Sequence, residues 1–231
     1  MKVAVVNYSG NVGKTTIARH LLAPRMGNCP ILYVETINEV GTSEATVRGR
    51  DFKEVLTEIT AHERVVVDIG SSNVEQVFQQ IKRIADSHED FDYFLVPTVP
   101  AAKQQADTAK IVESLFELGV EPSAIKLLFN QVEEGDDVAK VFARLLDAVG
   151  PLEVRPDLEA VVHQNELFPM LGQRSVQEAL CSDRNFKAEI AAAAGNPEKQ
   201  REIAEARVIS RLAKGVKTEL DKVYDVLFAS A

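Results

Sequence analysis

The sequence predicts an α/β protein: a doubly wound, mainly parallel sheet with helices on both faces, followed by a C-terminal helical extension. Three observations carry that prediction. Runs of strand length that are apolar throughout recur along roughly the first three-quarters of the chain, as strands covered on both faces require. Segments with apolar residues at i, i+3 and i+4 stand between them, so strand is followed by helix, the pattern of a parallel sheet. From about Ser175 onward the strand patterns stop and helical ones remain. The chain is divided accordingly into a sheet domain, residues 1–175, and a helical extension packed on it, residues 176–231.

In order, residues 2–6 read as a first strand, and residues 15–22 begin a helix. Residues 31–34 are a second strand, and 52–60 show helical spacing. Residues 64–69, RVVVDI, are a buried strand. The helix over 74–85 sets Val74, Val77, Phe78, Ile81 and Ile84 on one face. Residues 93–96 are a strand, 106–118 a helix, 125–130 a strand and 138–149 a helix; 152–154 read as a short last strand. Gly195-Asn196-Pro197 is a break, and 198–228 form one long amphipathic helix.

Composition narrows the classes. A chain of 231 residues with 45% hydrophobic and 26% charged residues has enough apolar mass for a sizeable core. No run reaches the ~18 consecutive apolar residues of a membrane span. The opening apolar run stops at Asn7, too soon for a secretory signal, and reads as the first strand of a cytoplasmic protein. A net charge of −9 argues against coating nucleic acid over the whole surface, while leaving room for a local basic patch. Cys29 and Cys181 are far apart and the four histidines are scattered, so neither a disulfide framework nor structural zinc is expected.

Ligands on parallel sheets sit beyond the carboxyl ends of the strands. Beyond the first strand stands Tyr8-Ser9-Gly10-Asn11-Val12-Gly13-Lys14-Thr15-Thr16, followed by a helix. Glycines let such a loop turn its N–H groups toward phosphate oxygens, and a helix N-terminus adds positive potential. Gly10, Asn11, Val12 and Gly13 would form the cradle, Lys14 would reach the β- and γ-phosphates, and the Thr15 hydroxyl would ligate Mg²⁺. The phosphate-loop pattern GxxxxGK[ST] wants a glycine where Tyr8 stands, so the match is incomplete.

The stretch SGNVGKTT resembles the deviant Walker A motif, usually KGGVGKTT, of the ParA/MinD family of partitioning and positioning ATPases. The resemblance covers roughly residues 1–175. It implies a P-loop fold, ATP or ADP with Mg²⁺ as cofactors, and a nucleotide-dependent homodimer that acts as a switch. It gives Thr16 a contact to the α-phosphate. It makes Asp68 the Walker B aspartate, holding Mg²⁺ through water, and Gly70 a backbone donor to the γ-phosphate. Asn130 would read adenine, and Pro156 and Asp157 would lie in the loop closing over the base. The guanine-reading [NT]KxD is absent, since Gln131-Val132-Glu133 follow Asn130, and this favours ATP. Within the family, the opening NYSGNVGKTTIARHLL is most similar to the StbB-type plasmid stability proteins. That implies a role in plasmid stability, positioning or conjugative transfer, with a plasmid DNA-binding or transfer protein as partner.

Three positions depart from the family pattern. Its signature lysine, which reaches across the dimer, falls at Ser9, and its second motif glycine falls at Asn11. The second strand normally ends in DxD; here it runs Val34-Glu35-Thr36-Ile37-Asn38-Glu39, and Ile37 cannot orient water. With a changed turn Asn38 or Glu39 would take that role, Glu39 then joining Lys14 and Asp68 as the catalytic candidates; a solvated loop carboxylate is the other reading of Glu39. These departures set three readings side by side: a slowly hydrolysing dimerising switch, a non-hydrolysing nucleotide-binding module, and a small-molecule kinase or ligase on the same scaffold.

On the last helix Val208, Ile209, Leu212, Val216, Leu220, Val223 and Leu227 are expected on one face, with Arg207, Arg211, Lys214 and Lys222 roughly opposite and Asp221 and Asp225 diluting that polar face. A packed helix with a solvated charged face is one reading. A basic stripe for weak non-specific DNA contact, or a helix lying on an anionic membrane, are the others; they imply nucleoid or membrane association.

Overall fold

Strands apolar on both faces need cover on both faces, and the described residues build that arrangement. The computed structural model describes residues 1–35, 46–48, 52–181 and 183–228, with backbone alone for 46–48. Its sheet contains β1 (Lys2–Val5), β2 (Ile31–Glu35), β3 (Thr46–Arg48), β4 (Val65–Ile69), β5 (Tyr93–Thr98), β6 (Ile125–Val132) and β7 (Val161–His163). Their order is β3-β2-β4-β1-β5-β6-β7, and every pairing is parallel. In the centre, Val5 of β1 lies opposite Asp68 of β4 on one side and Leu95 of β5 on the other.

Alternation along the strands sorts the core into two layers. Ala4, Leu32, Val67, Phe94, Leu127 and Phe129 share one buried cluster with α3 (Phe52–Ala61), α4 (Val74–Arg83), α5 (Ala102–Glu117) and, beyond α6 (Val138–Val141), α7 (Ala143–Val149). Val55, Val77, Ile111 and Leu145 are their representatives in that layer. Val3, Val5, Val66, Leu95 and Leu128 point the other way and are equally buried. Ile17, Leu21 and Leu22, from the helical run after the loop, are buried too.

That helical run is not a plain α-helix. It begins as α1 (Lys14–Ile17), widens into a π-helical turn at Ala18–Leu22, and ends as α2 (Ala23–Arg25). Pro24 explains the widening. It has no N–H to offer the His20 carbonyl and its ring would crowd that carbonyl. With i→i+5 pairing the Ala23 N–H reaches Ala18 O instead. The Arg25 guanidinium, through Nη1, then donates to His20 O at 2.9 Å and Leu21 O at 3.1 Å.

The structure corrects two expectations. Residues 152–154 do not pair as a strand: Gly150–Leu152 form a 3₁₀ turn containing Pro151, and Glu153 is left-handed at φ 60°. The last strand is β7, three residues long. On the last helix, α11 (Pro197–Phe228), the buried seam runs Ile203, Ser210, Ala213, Val216, Leu220, Val223, Leu227. Val208 is 52% exposed. Counting large apolar residues misplaced the first half of the seam, because the small Ser210 and Ala213 occupy it.

The chain divides into two compact units, Met1–Gln164 together with the segment from Val223, and Asn165–Lys222. The first contains the sheet, and in it Phe228 packs on Tyr93 with ring centroids 5.2 Å apart. The second is helical: α8 (Leu167–Leu171), α9 (Val176–Ala179), α10 (Phe186–Ala192) and α11 up to Lys222. A capping box of Ser175 and Glu178 starts α9. The buried Ser210 hydroxyl donates to Leu180 O, which ties α11 to the end of α9.

Candidate phosphate-binding site

β1 and β4 end side by side, and the loop after β1 turns over their carboxyl ends into α1. Two loop residues are left-handed, Asn11 at φ 57° and Gly13 at φ 87°. Asparagine is among the residues that tolerate this region, so Asn11 keeps a backbone shape that a glycine would adopt at no cost. Gly13 is required on two counts. Its φ is unfavourable for any side chain, and a Cβ there would stand 2.3 Å from Asn130 Nδ2. Gly10 has room around it, the nearest atom to a built Cβ being Ser71 Oγ at 3.9 Å.

Asn130, at the carboxyl end of β6, is buried beneath the loop and donates to Val12 O at 2.9 Å. The next residue, Gln131, is left-handed in a break of the β6–β7 register, and its Nε2 donates to Asn11 O at 3.3 Å. The end of β6 thus pins two successive loop carbonyls. Val12 is wholly buried.

Lys14 is also buried. Its Nζ donates to Ser9 O at 2.8 Å and Asn7 O at 3.3 Å, folding back on its own loop. Burial pulls its pKa below the usual lysine value, and the nearby Asp68 opposes that shift. The Thr15 hydroxyl donates to Asp68 Oδ2 at 2.6 Å. Asp68 is 3% exposed; burial pushes its carboxyl up, against the Thr15 hydrogen bond and the charge of Lys14. Thr16 is half-buried on the first turn. Gly70, just past β4, gives its N–H to Val34 O at 3.0 Å, and Asn73 Nδ2 donates to the same oxygen at 3.2 Å.

Lys14, Thr15, Asp68, Gly13 and Asn130 are therefore gathered at one edge of the sheet, together with Gly10, Asn11 and Val12. Pro156 and Asp157 are not. They precede β7, and with Arg155 they line a cleft of about 410 Å³ shared with Ile125–Leu127, at the amino end of β6. The expectation that they close over a base at the phosphate edge is corrected: the misplaced last strand had reversed their position. Ile37, Asn38 and Glu39 lie outside the described residues.

Four residues of the site, Asn7, Asp107, Thr108 and Gln131, carry no motif in the sequence. Asn7 Oδ1 accepts from Ser9 N–H at 2.8 Å, and Asn7 Nδ2 donates to Pro97 O at 2.9 Å and Thr108 Oγ1 at 2.8 Å. Ser9 Oγ donates to Asp107 Oδ2 at 2.6 Å. Gln131 holds the loop from below. Asn7, a polar residue ending an apolar strand, was the one visible signal; Asp107 and Thr108 sit on an ordinary amphipathic helix about 100 residues away.

The chemistry this edge offers is anion binding. A left-handed glycine at the start of a helical run presents backbone N–H groups, with an ammonium beside them. The Thr15 hydroxyl and Asp68 carboxylate, already in contact, are hard oxygen donors of the kind Mg²⁺ takes in company with phosphate oxygens and water. Among the described residues no cluster of three His, Cys, Asp or Glu side chains is placed to hold a metal by itself.

A scan against protein-family models finds no match, and no curated protein sequence matches. Solved structures do. The MinD cell division protein of Aquifex aeolicus is 13% identical, with 90% of this chain and 95% of that one covered and a TM-score of 0.51. The septum site-determining protein MinD of Pyrococcus horikoshii, complexed with Mg-ADP, is 14% identical over 93% and 95%, with a TM-score of 0.50. The MinC:MinD cell division protein complex of A. aeolicus is 10% identical over 94% and 96%, also at 0.50. The chain has the ParA/MinD-like P-loop fold: an all-parallel sheet between helices, with a long C-terminal helix.

Proposed function

We propose that the loop from Ser9 to Thr16 binds ATP or ADP with Mg²⁺, and that nucleotide binding drives a switch between two states of the protein. The observation that carries this reading is the convergence of left-handed Gly13, buried Lys14 and the Thr15–Asp68 pair at the carboxyl edge of β1 and β4. Buried Lys14 donates to two neutral carbonyls with only the Asp68 charge nearby, and a phosphate would give its ammonium a direct anionic partner. In the bound state Lys14, which here donates to the carbonyls of Ser9 and Asn7, would hold the phosphates instead. Thr15 and Asp68 would hold Mg²⁺, Asp68 through water. The Gly70 N–H, here given to Val34 O, would be a donor to the terminal phosphate. Bound nucleotide supplies the charge and the energy difference between the states; a partner is recruited by whichever state it prefers.

The switch is a homodimer in its ATP state, in the cytoplasm, serving plasmid stability, positioning or conjugative transfer, as in the StbB-type proteins that the opening resembles. Residues 176–231 serve as the helical extension. Arg207, Arg211 and Lys214 present a basic stretch on it, free of carboxylates from Ala206 to Thr218, suited to weak contact with DNA or an anionic membrane. A second reading, a nucleotide-binding module that does not hydrolyse, is favoured by Ser9: its hydroxyl is engaged with Asp107, where the family has the lysine that acts across the dimer. Sedimentation with Mg²⁺ and ADP, ATP or a non-hydrolysable analogue, with phosphate release followed in parallel, tests both. ATP-specific dimerisation with phosphate release supports the switch; dimerisation without release supports the second reading. Lys14→Ala is expected to lose nucleotide binding and keep the fold. If it binds ATP as the parent does, the reading of the loop is wrong.

A further inference from the structure

The carbonyls that hold Lys14 belong to Asn7 and Ser9, and both residues are fixed by α5. Ser9 Oγ donates to Asp107 Oδ2 at 2.6 Å, Ser9 N–H to Asn7 Oδ1 at 2.8 Å, and Asn7 Nδ2 to Thr108 Oγ1 at 2.8 Å. Thr108 is in turn anchored to Gln104 O at 2.7 Å. Ser9 is 6% exposed, so the pair it makes with Asp107 is shielded. Lys110 stands 3.8 Å from Asp107 Oδ1, 67% exposed, and screens the carboxylate only in part.

We propose that Asp107 is a positioning residue: through Ser9 it latches the loop in the shape that holds Lys14 against the Ser9 and Asn7 carbonyls, and nucleotide binds against that latch. This rests on the nucleotide reading above and names a regulator of the same site. Two effects act in one direction. Fixing the Ser9 peptide keeps its carbonyl available to the ammonium, so Lys14 must break a well-made hydrogen bond before it meets a phosphate. The Asp107 carboxylate also places negative charge beside the loop, which repels a phosphate. Anything that draws Asp107 away from Ser9, by moving α5 or by offering the carboxylate another cation, would free Lys14.

The test pairs a chemical readout with a binding readout on the full chain. Acetylation of Lys14 by an amine-reactive ester, followed by mass spectrometry, is compared with that of exposed Lys103; ADP affinity is measured by calorimetry. Ser9→Ala and Asp107→Ala are each expected to speed Lys14 acetylation and to tighten ADP binding by about fivefold, the worth of about one hydrogen bond. Asp107→Ala, which also removes the charge, should tighten ADP binding at least as much as Ser9→Ala, and the double variant should do no more than Asp107→Ala alone. Asp107→Asn, whose amide oxygen can still accept from the Ser9 hydroxyl, should keep Lys14 acetylation slow where Asp107→Ala speeds it; a merely structural role for Asp107 would not be rescued in this way. Unchanged acetylation, or weaker ADP binding in both variants with their folds intact by circular dichroism, overturns the latch while leaving the nucleotide reading standing. Faster acetylation in variants of a protein that binds no nucleotide at all sustains the latch and sinks the nucleotide reading.

Discussion

Single residues carry most of the site, and two make predictions of their own. Gly13→Ala would place a methyl group inside contact distance of the Asn130 amide, at a φ that side chains avoid. A loss on the order of 2 kcal/mol in denaturant unfolding is expected, together with loss of nucleotide binding, because Asn130 could no longer hold Val12. A change below ~0.5 kcal/mol would mean that the loop takes another shape. His20, in the π turn, is 9% exposed, and burial, aided by Arg19, holds its pKa down at about 4, against 6.5 for an exposed imidazole. The unfolded chain thus takes up a proton between pH 6.5 and about 4 that the folded chain refuses, and stability falls as pH falls through that window. The fall is on the order of 3 kcal/mol. His20→Gln should flatten it, and a stability profile identical to the parent's over that range would contradict the assignment.

At the scale of elements, the π turn and its proline form one unit. Arg25→Leu leaves the His20 and Leu21 carbonyls without the guanidinium, at an expected cost of about 1–2 kcal/mol. In a Pro24→Ala background the helix can tighten and supply a backbone donor to His20, so the same Arg25 change should cost distinctly less; equal costs would show that the proline is not the cause. Such a turn is invisible in a hydrophobic pattern, which sees Ile17, Leu21 and Leu22 simply as an apolar face. Where burial is on both sides and the run is five residues or more, as in RVVVDI, the strands were legible, and so was the loop between β1 and α1. β7 was not, because three residues carry no period, and the apolar residues at 152 and 154 offered a decoy that Pro151 and a left-handed Glu153 prevent from pairing. That one displacement sent Pro156 and Asp157 to the wrong end of the sheet. The α11 seam was half legible: a pattern of large apolar residues finds Val216, Leu220, Val223 and Leu227, but not a serine buried because its hydroxyl has a carbonyl to meet.

Across the whole molecule, the sheet unit draws on the far end of the sequence. Phe228 lies against Tyr93 and Tyr224, with centroids at 5.2 and 5.0 Å. Phe228→Ala is expected to lower the stability of the sheet unit by about 3 kcal/mol, read as a lower urea midpoint, with ADP affinity unaltered because the phosphate loop is built from other residues. A fall in affinity without a fall in midpoint would place the aromatic cluster in the site instead. The position of β1 has a consequence of another kind. It is made before both of its neighbours, β4 and β5, which end at Ile69 and Thr98. During translation the loop after β1 therefore waits, attached to an apolar strand that is not paired on both sides until the chain has reached Thr98. Nascent chains halted before Thr98 should be recognised by chaperones and cut readily by proteases near the loop, and protection should arrive in one step once β5 has emerged.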